Sequence, residues 1–166
     1  MLRPLDLVIV LWLALQRGPV TQSQVAAGLG IAQSNVSRSL GLLERAGLLR
    51  DGAVQVAPLL TVLQGVRFWL PATLGRRTRG LATAADGPLT RERFVGEERM
   101  VWPDERARTV GTALTPIHPC VVDAARRDAE FYGLIALVET LRVGRTREVA
   151  EARALLEARL TEGRLA

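Results

Sequence analysis

The 166-residue chain has one cysteine, one histidine and no lysine, and aromatics make up only 4% of it. A lone Cys120 cannot close an internal disulfide and points to a reducing compartment. With His118 and Cys120 as the only soft ligands, a zinc site would have to draw carboxylates from unmarked positions, so no metal and no cofactor is expected. Phosphate loops of the P-loop or dinucleotide type are absent, as is any Ser/His/Asp or Cys/His set at a workable spacing. Glu97-Glu98 and Asp104-Glu105 are acidic pairs of the kind that solvated loops carry. The chain nominates no reaction and reads as a non-enzyme. Its first apolar run, Leu5 to Leu15, includes Asp6, lacks a small-x-small cleavage site and falls short of the ~18 residues a membrane span needs. A cytoplasmic protein with no membrane partner is the expectation.

Apolar residues make up 48% of the chain, enough for a core that Leu, Val and Ala must fill. All 22 basic residues are Arg, a usage that a GC-rich coding sequence produces by itself. Their distribution says more. Residues 1–80 hold nine Arg against Asp6, Glu44 and Asp51, a balance of +6, whereas residues 81–166 balance at −1. A basic segment attracts a polyanion and releases its counterions.

Within the basic half, TQSQVAAGLGIAQSNVSRSLGLLERAGLLR, from Thr21 to Arg50, reads as two short helices joined by a tight turn. Thr21 is an N-cap residue for a helix over about Gln22 to Ala27. Gly28 and Gly30 flank Leu29 in the turn, and Ile31 plugs the corner. The second helix starts near Gln33 and is stopped by Gly47. At about 100° per residue, Val36, Leu40 and Leu43 share its core face. Ser34, Arg38, Gly41 and Arg45 point the opposite way, with Asn35 and Ser37 beside them. A solvated helix normally carries Glu and Lys at such sites; a small, polar, basic face suits base edges and phosphates.

These residues also resemble a known pattern. Ser34, Ser37, Arg38, Leu43, Glu44, Gly47 and Leu48 match the Ser-x-x-Ser-Arg and Leu-Glu-x-x-Gly-Leu cluster of winged helix-turn-helix regulators of the MarR and ArsR type. The resemblance covers less than half of the chain. It implies double-stranded DNA as partner, with Gln33, Ser34, Asn35, Ser37 and Arg38 at base edges. Thr21, Gln22, Ser23, Arg45 and Arg50 would hold phosphates. Leu48-Leu49-Arg50, Asp51-Gly52 and Ala53 to Val56 then form the wing, a hairpin on a favoured turn dipeptide. Asp51 at its tip would repel phosphate, so the wing is a minor contributor.

Pro4 opens an N-terminal helix to about Gln16, and a second apolar helix runs from Leu59 to Leu70. Both are greasier than one small winged core can cover. Regulators resembling this one often dimerise through flanking helices, which places Val8, Leu11, Trp12, Leu63, Val66 and Trp69 at a homodimer interface; packing within the monomer is the alternative. Residues 72–116 lack a sustained period. Arg76, Arg77 and Arg79 form a basic knot that reads as a phosphate-holding arm or a solvated linker, and short strands are allowed near Arg99 to Pro103 and Thr109 to Leu114. Helices are expected over Pro119 to Asp128, through Phe131, Leu134, Ile135 and Val138 to Val143, and over Thr146 to Thr161. Trp102-Pro103, Gly111, Pro116 and Pro119 also resemble the C-terminal part of small bacterial winged-helix proteins of unassigned activity.

The fold class is therefore mainly α: a winged helix-turn-helix domain over 1–71, an irregular connecting segment over 72–116 and a small helical accessory unit over 117–166. The function expected is sequence-specific transcription regulation by a homodimer reading an inverted repeat, with a protein partner or a small-molecule effector at the C-terminal unit. The alternative is a protein-interaction module, antitoxin-like or assembling a complex.

Overall fold

Pro4 at the first turn and Asp6 at the third position start a helix that the computed structural model, which describes residues 1–94 and 98–162, places at Pro4–Ala14 (α1). Helices Gln22–Leu29 (α2) and Gln33–Arg45 (α3) follow. The hairpin Leu49–Arg50 (β1) and Ala53–Val54 (β2) turns on Asp51 and Gly52, whose φ values of 50° and 77° are both positive, as a type I′ loop requires. Leu49 faces Val54 and Arg50 faces Ala53.

The single helix expected over Leu59 to Leu70 is two pieces, Val56–Gln64 (α4) and Val66–Trp69 (α5), broken at Gly65. At the break the carbonyl of Val62 accepts from the Gly65 N–H (3.3 Å) and from the Trp69 indole (3.2 Å). The following segment is more regular than its composition implies. The stretch holding Arg76, Arg77 and Arg79 is a 10-residue strand, Leu74–Thr83 (β3), rather than an arm or linker. Met100–Pro103 (β4) and Val110–Leu114 (β5) lie where short strands were allowed. β3 pairs antiparallel with both, Leu81 opposite Trp102 and Arg77 opposite Thr112, while β4 and β5 pair in parallel. The three strands thus close on one another as a ring.

Val121–Arg127 (α6), Ala129–Val143 (α7) and Thr146–Glu162 (α8) complete the chain. α7 differs from the one-faced helix that Phe131, Leu134, Ile135 and Val138 suggest. Every residue from Gly133 to Arg142 is buried, because α7 is the central helix, packed on α1, α4, α5, α6, α8 and β3.

That packing corrects the assembly expectation. Val8 and Leu11 are 0% exposed, Val66 1%, Leu63 2% and Trp12 8%, all inside one chain. Trp69 is half-buried, with its indole already bonded to Val62. α7 lies against α1, α4 and α5, and α8 against α4, so the chain's own C-terminal helices supply the cover assigned to a second copy. One hydrophobic core runs from Leu5 to Leu160 through the winged segment and the C-terminal helices alike.

Charges inside this core are paired. Trp102 Nε1 donates to Glu139 Oε2 (2.7 Å), and Arg142 Nη1 donates to Glu139 Oε1 (2.6 Å). Arg142 also donates to the carbonyls of Leu70 (2.9 Å) and Pro71 (3.1 Å), tying the α5–β3 connection to α7. No described helix is long and apolar enough to cross a membrane.

Candidate nucleic-acid interface

The helix pair is fixed by local chemistry at each corner. Thr21 Oγ1 accepts from the Gln24 N–H (3.1 Å) and Gln24 Oε1 accepts from the Thr21 N–H (2.7 Å), a reciprocal cap on α2. Gly30 ends α2 at φ 65°, a conformation costing least without a Cβ. Gly28 is required for another reason: a Cβ there would lie 2.5 Å from the Trp12 ring of α1. Arg127 of α6 donates to the Gly28 carbonyl (3.1 Å), so the C-terminal half grips the end of α2.

α3 divides as its periodicity predicts. Val36 and Leu43 are fully buried. Gln33, Ser34, Ser37 and Arg38 are exposed together on its first turns, and Asn35 is half-buried. Its N-cap, Ala32, offers no side-chain acceptor, so the first amides of α3 keep their partial positive charge for an outside partner. Arg45 is exposed in the last turn and folds back over Gly41, its Nη1 3.5 Å from where a Cβ would stand. Arg50 is exposed on the hairpin, and Thr21, Gln22 and Ser23 are exposed at the start of α2. Among the described residues none of Arg38, Arg45 and Arg50 enters an ion pair. Three cations are therefore available to an anion.

Behind this face lies a feature that periodicity did not reveal. Ser39, fully buried, donates to Asp6 Oδ1 of α1 (2.6 Å) and accepts from Arg3 Nη2 (3.2 Å). Asp6 also accepts from the Arg3 backbone N–H (2.7 Å), from Nε (3.1 Å) and from Nη2 (2.8 Å). Burial pushes the Asp6 carboxyl up, but the bonds from Arg3 and Ser39 outweigh it and hold the group below the ordinary carboxylate range. The signal in the sequence was a lone acid in an apolar helix, together with a serine on the core side of α3.

His118, Asp104 and Glu98, which the sequence also singles out, have structural partners. Burial pushes the Cys120 thiol up to about 11, so it is not a thiolate near neutrality. The Cys120 N–H donates to His118 Nδ1 (3.1 Å), and burial lowers the pKa of that ring. Asp104 binds Arg106 (3.0 Å) and Arg126 (2.5 Å), with Arg106 the main cause of its carboxyl being held down to about 2. Glu98 accepts from Thr112 (2.5 Å); Glu97 lies outside the described residues.

Comparison with known proteins finds that residues 3–54, under a third of the chain, match the family model described as MarR family. No curated protein and no solved structure matches the chain.

Proposed function

We propose that this chain reads duplex DNA sequence-specifically: residues 3–54 match the model of the MarR family, a family of DNA-binding transcription regulators. The observation that carries the reading is the exposed polar and basic side of α3, with Arg38 free of any ion pair among the described residues and Ser39 anchoring the opposite side. In this reading Gln33, Ser34, Asn35, Ser37 and Arg38 face base edges. Thr21, Gln22, Ser23, Arg45 and Arg50 face phosphates, and the action is cytoplasmic. One recognition helix spans only a half-site, which supports a homodimer on an inverted repeat, its two α3 helices about 34–36 Å apart. The dimer must use a surface other than α1 and α4, whose apolar sides are internal.

The test is Arg38→Ala, assayed on a selected duplex and on random duplex. Loss of about 1–3 kcal/mol on the selected site, with far less on random DNA, supports base reading. Equal losses on both reduce Arg38 to a phosphate contact. The protein-docking alternative has one observation in its favour: Phe68 on α5 is 83% exposed. A flat salt response of duplex binding would favour it.

A further inference from the structure

A cleft of about 450 Å³ opens beside α3, walled by the end of α1, the start of α2, the β1–β2 hairpin and Leu160 of α8. It lies in the winged head rather than in the C-terminal unit, where an effector was expected. Its size falls within the range of small-molecule pockets, ~300–1,000 Å³. The walls are mostly aliphatic, with Leu13, Val25, Leu40 and Val54 among them. The charge at the rim is one-sided. Glu44 of α3 and Asp51 of the hairpin are both exposed there, and among the described residues no arginine lines the cleft, although the chain carries 22 basic residues. Neither carboxylate enters an ion pair among the described residues.

We propose that this cleft is a binding site for a small apolar monocation, an amine whose hydrocarbon body lies on the aliphatic walls and whose ammonium faces Glu44 and Asp51. The body gains by leaving water. The ammonium finds two negative charges with no competing cation among the described residues of the lining, and an anion of the same shape meets repulsion from both. Neutral molecules of that shape retain only the first contribution. A bound ligand also bridges α3 to the hairpin, so its binding is linked to that of duplex; this clause alone rests on the DNA-reading proposal.

Three adamantane probes of one shape separate the contributions: 1-adamantylamine, 1-adamantanol and 1-adamantanecarboxylate, titrated calorimetrically into the full chain without DNA. The amine should bind best, the alcohol less well and the carboxylate least, with about tenfold between the extremes at low salt. Glu44→Gln and Asp51→Asn, the latter retaining a residue that tolerates positive φ, should each shrink the advantage of amine over alcohol while leaving the alcohol's affinity in place. Ala14→Phe, which fills the cleft, should weaken all three probes; circular dichroism on the same samples shows whether the variant folds. Absence of binding by the amine at millimolar concentration, equal affinities for the three probes, or preference for the carboxylate would overturn the proposal. Repeating the amine titration with duplex present tests the linkage alone: unchanged amine affinity on a protein that binds DNA refutes it. A failure of duplex binding leaves the DNA-free titration as a complete test of the site.

Discussion

Ser39 on the inner side of α3 donates a 2.6 Å hydrogen bond to Asp6 of α1, and both side chains are fully buried. The bond joins the helix that carries the exposed polar face to the most deeply buried helix of the winged segment. Removing the donor leaves a buried carboxylate one partner short, although Arg3 still holds it. Ser39→Ala should therefore cost about 1–3 kcal/mol of stability in denaturant titrations. A loss below about 0.5 kcal/mol, the range of ordinary surface substitutions, would mean that the bond is dispensable.

Acid should expose the same bond. The folded Asp6 pKa lies below its unfolded value, so its contribution is complete above the unfolded pKa and disappears as pH falls through the folded one. Asp6→Asn should be less stable than wild type near neutrality, and the gap should close as pH falls through and below the ordinary carboxylate range. A gap constant with pH would show that the charge of Asp6 contributes nothing.

Glu139 and Arg142 form the second buried pair. Burial raises the Glu139 carboxyl, against the opposing pull of Arg142 and Trp102. Arg142→Met strands that carboxylate in the core and should cost about 3–5 kcal/mol near neutrality. A raised folded pKa favours the protonated form, so the cost should shrink as pH is lowered toward 5. Adding Glu139→Gln, which keeps an acceptor for Trp102, should recover much of the loss. A double variant no more stable than the single one would contradict this account.

The burial of α1 makes a prediction about mass as well as stability. Leu11→Ala should cost about 2–5 kcal/mol by opening a cavity, and should leave the solution mass of the folded protein unchanged by light scattering. A shift toward smaller species without loss of helical signal would return Leu11 to an interface between copies.

How much of this was legible depended on the range of each interaction. The Thr21 cap, the Asp51-Gly52 turn and the two sides of α3 were readable because their partners lie within a few residues. The sequence also showed that α1 and α4 have more apolar surface than a small winged core can cover. It could not show that α7 and α8, some hundred residues later, supply that cover. Ser39 was hidden by its chemistry: a serine at a core position reads as a tolerated small residue until its partner, Asp6, is seen. β3 was missed because Gly75 through Arg79 alternates neither in polarity nor in size. Its register comes from β4 and β5, which lie across chain reversals.

The measurement that bears most directly on the central claim is quantitative footprinting over the DNA upstream of the protein's own coding sequence, repeated across a range of salt. The account predicts protection of an inverted repeat. It also predicts that log affinity falls linearly with log salt, at a slope of about −0.9 for each phosphate neutralised. A chain that protects no duplex near 50 mM salt, a condition under which phosphate contacts are strong, would contradict it.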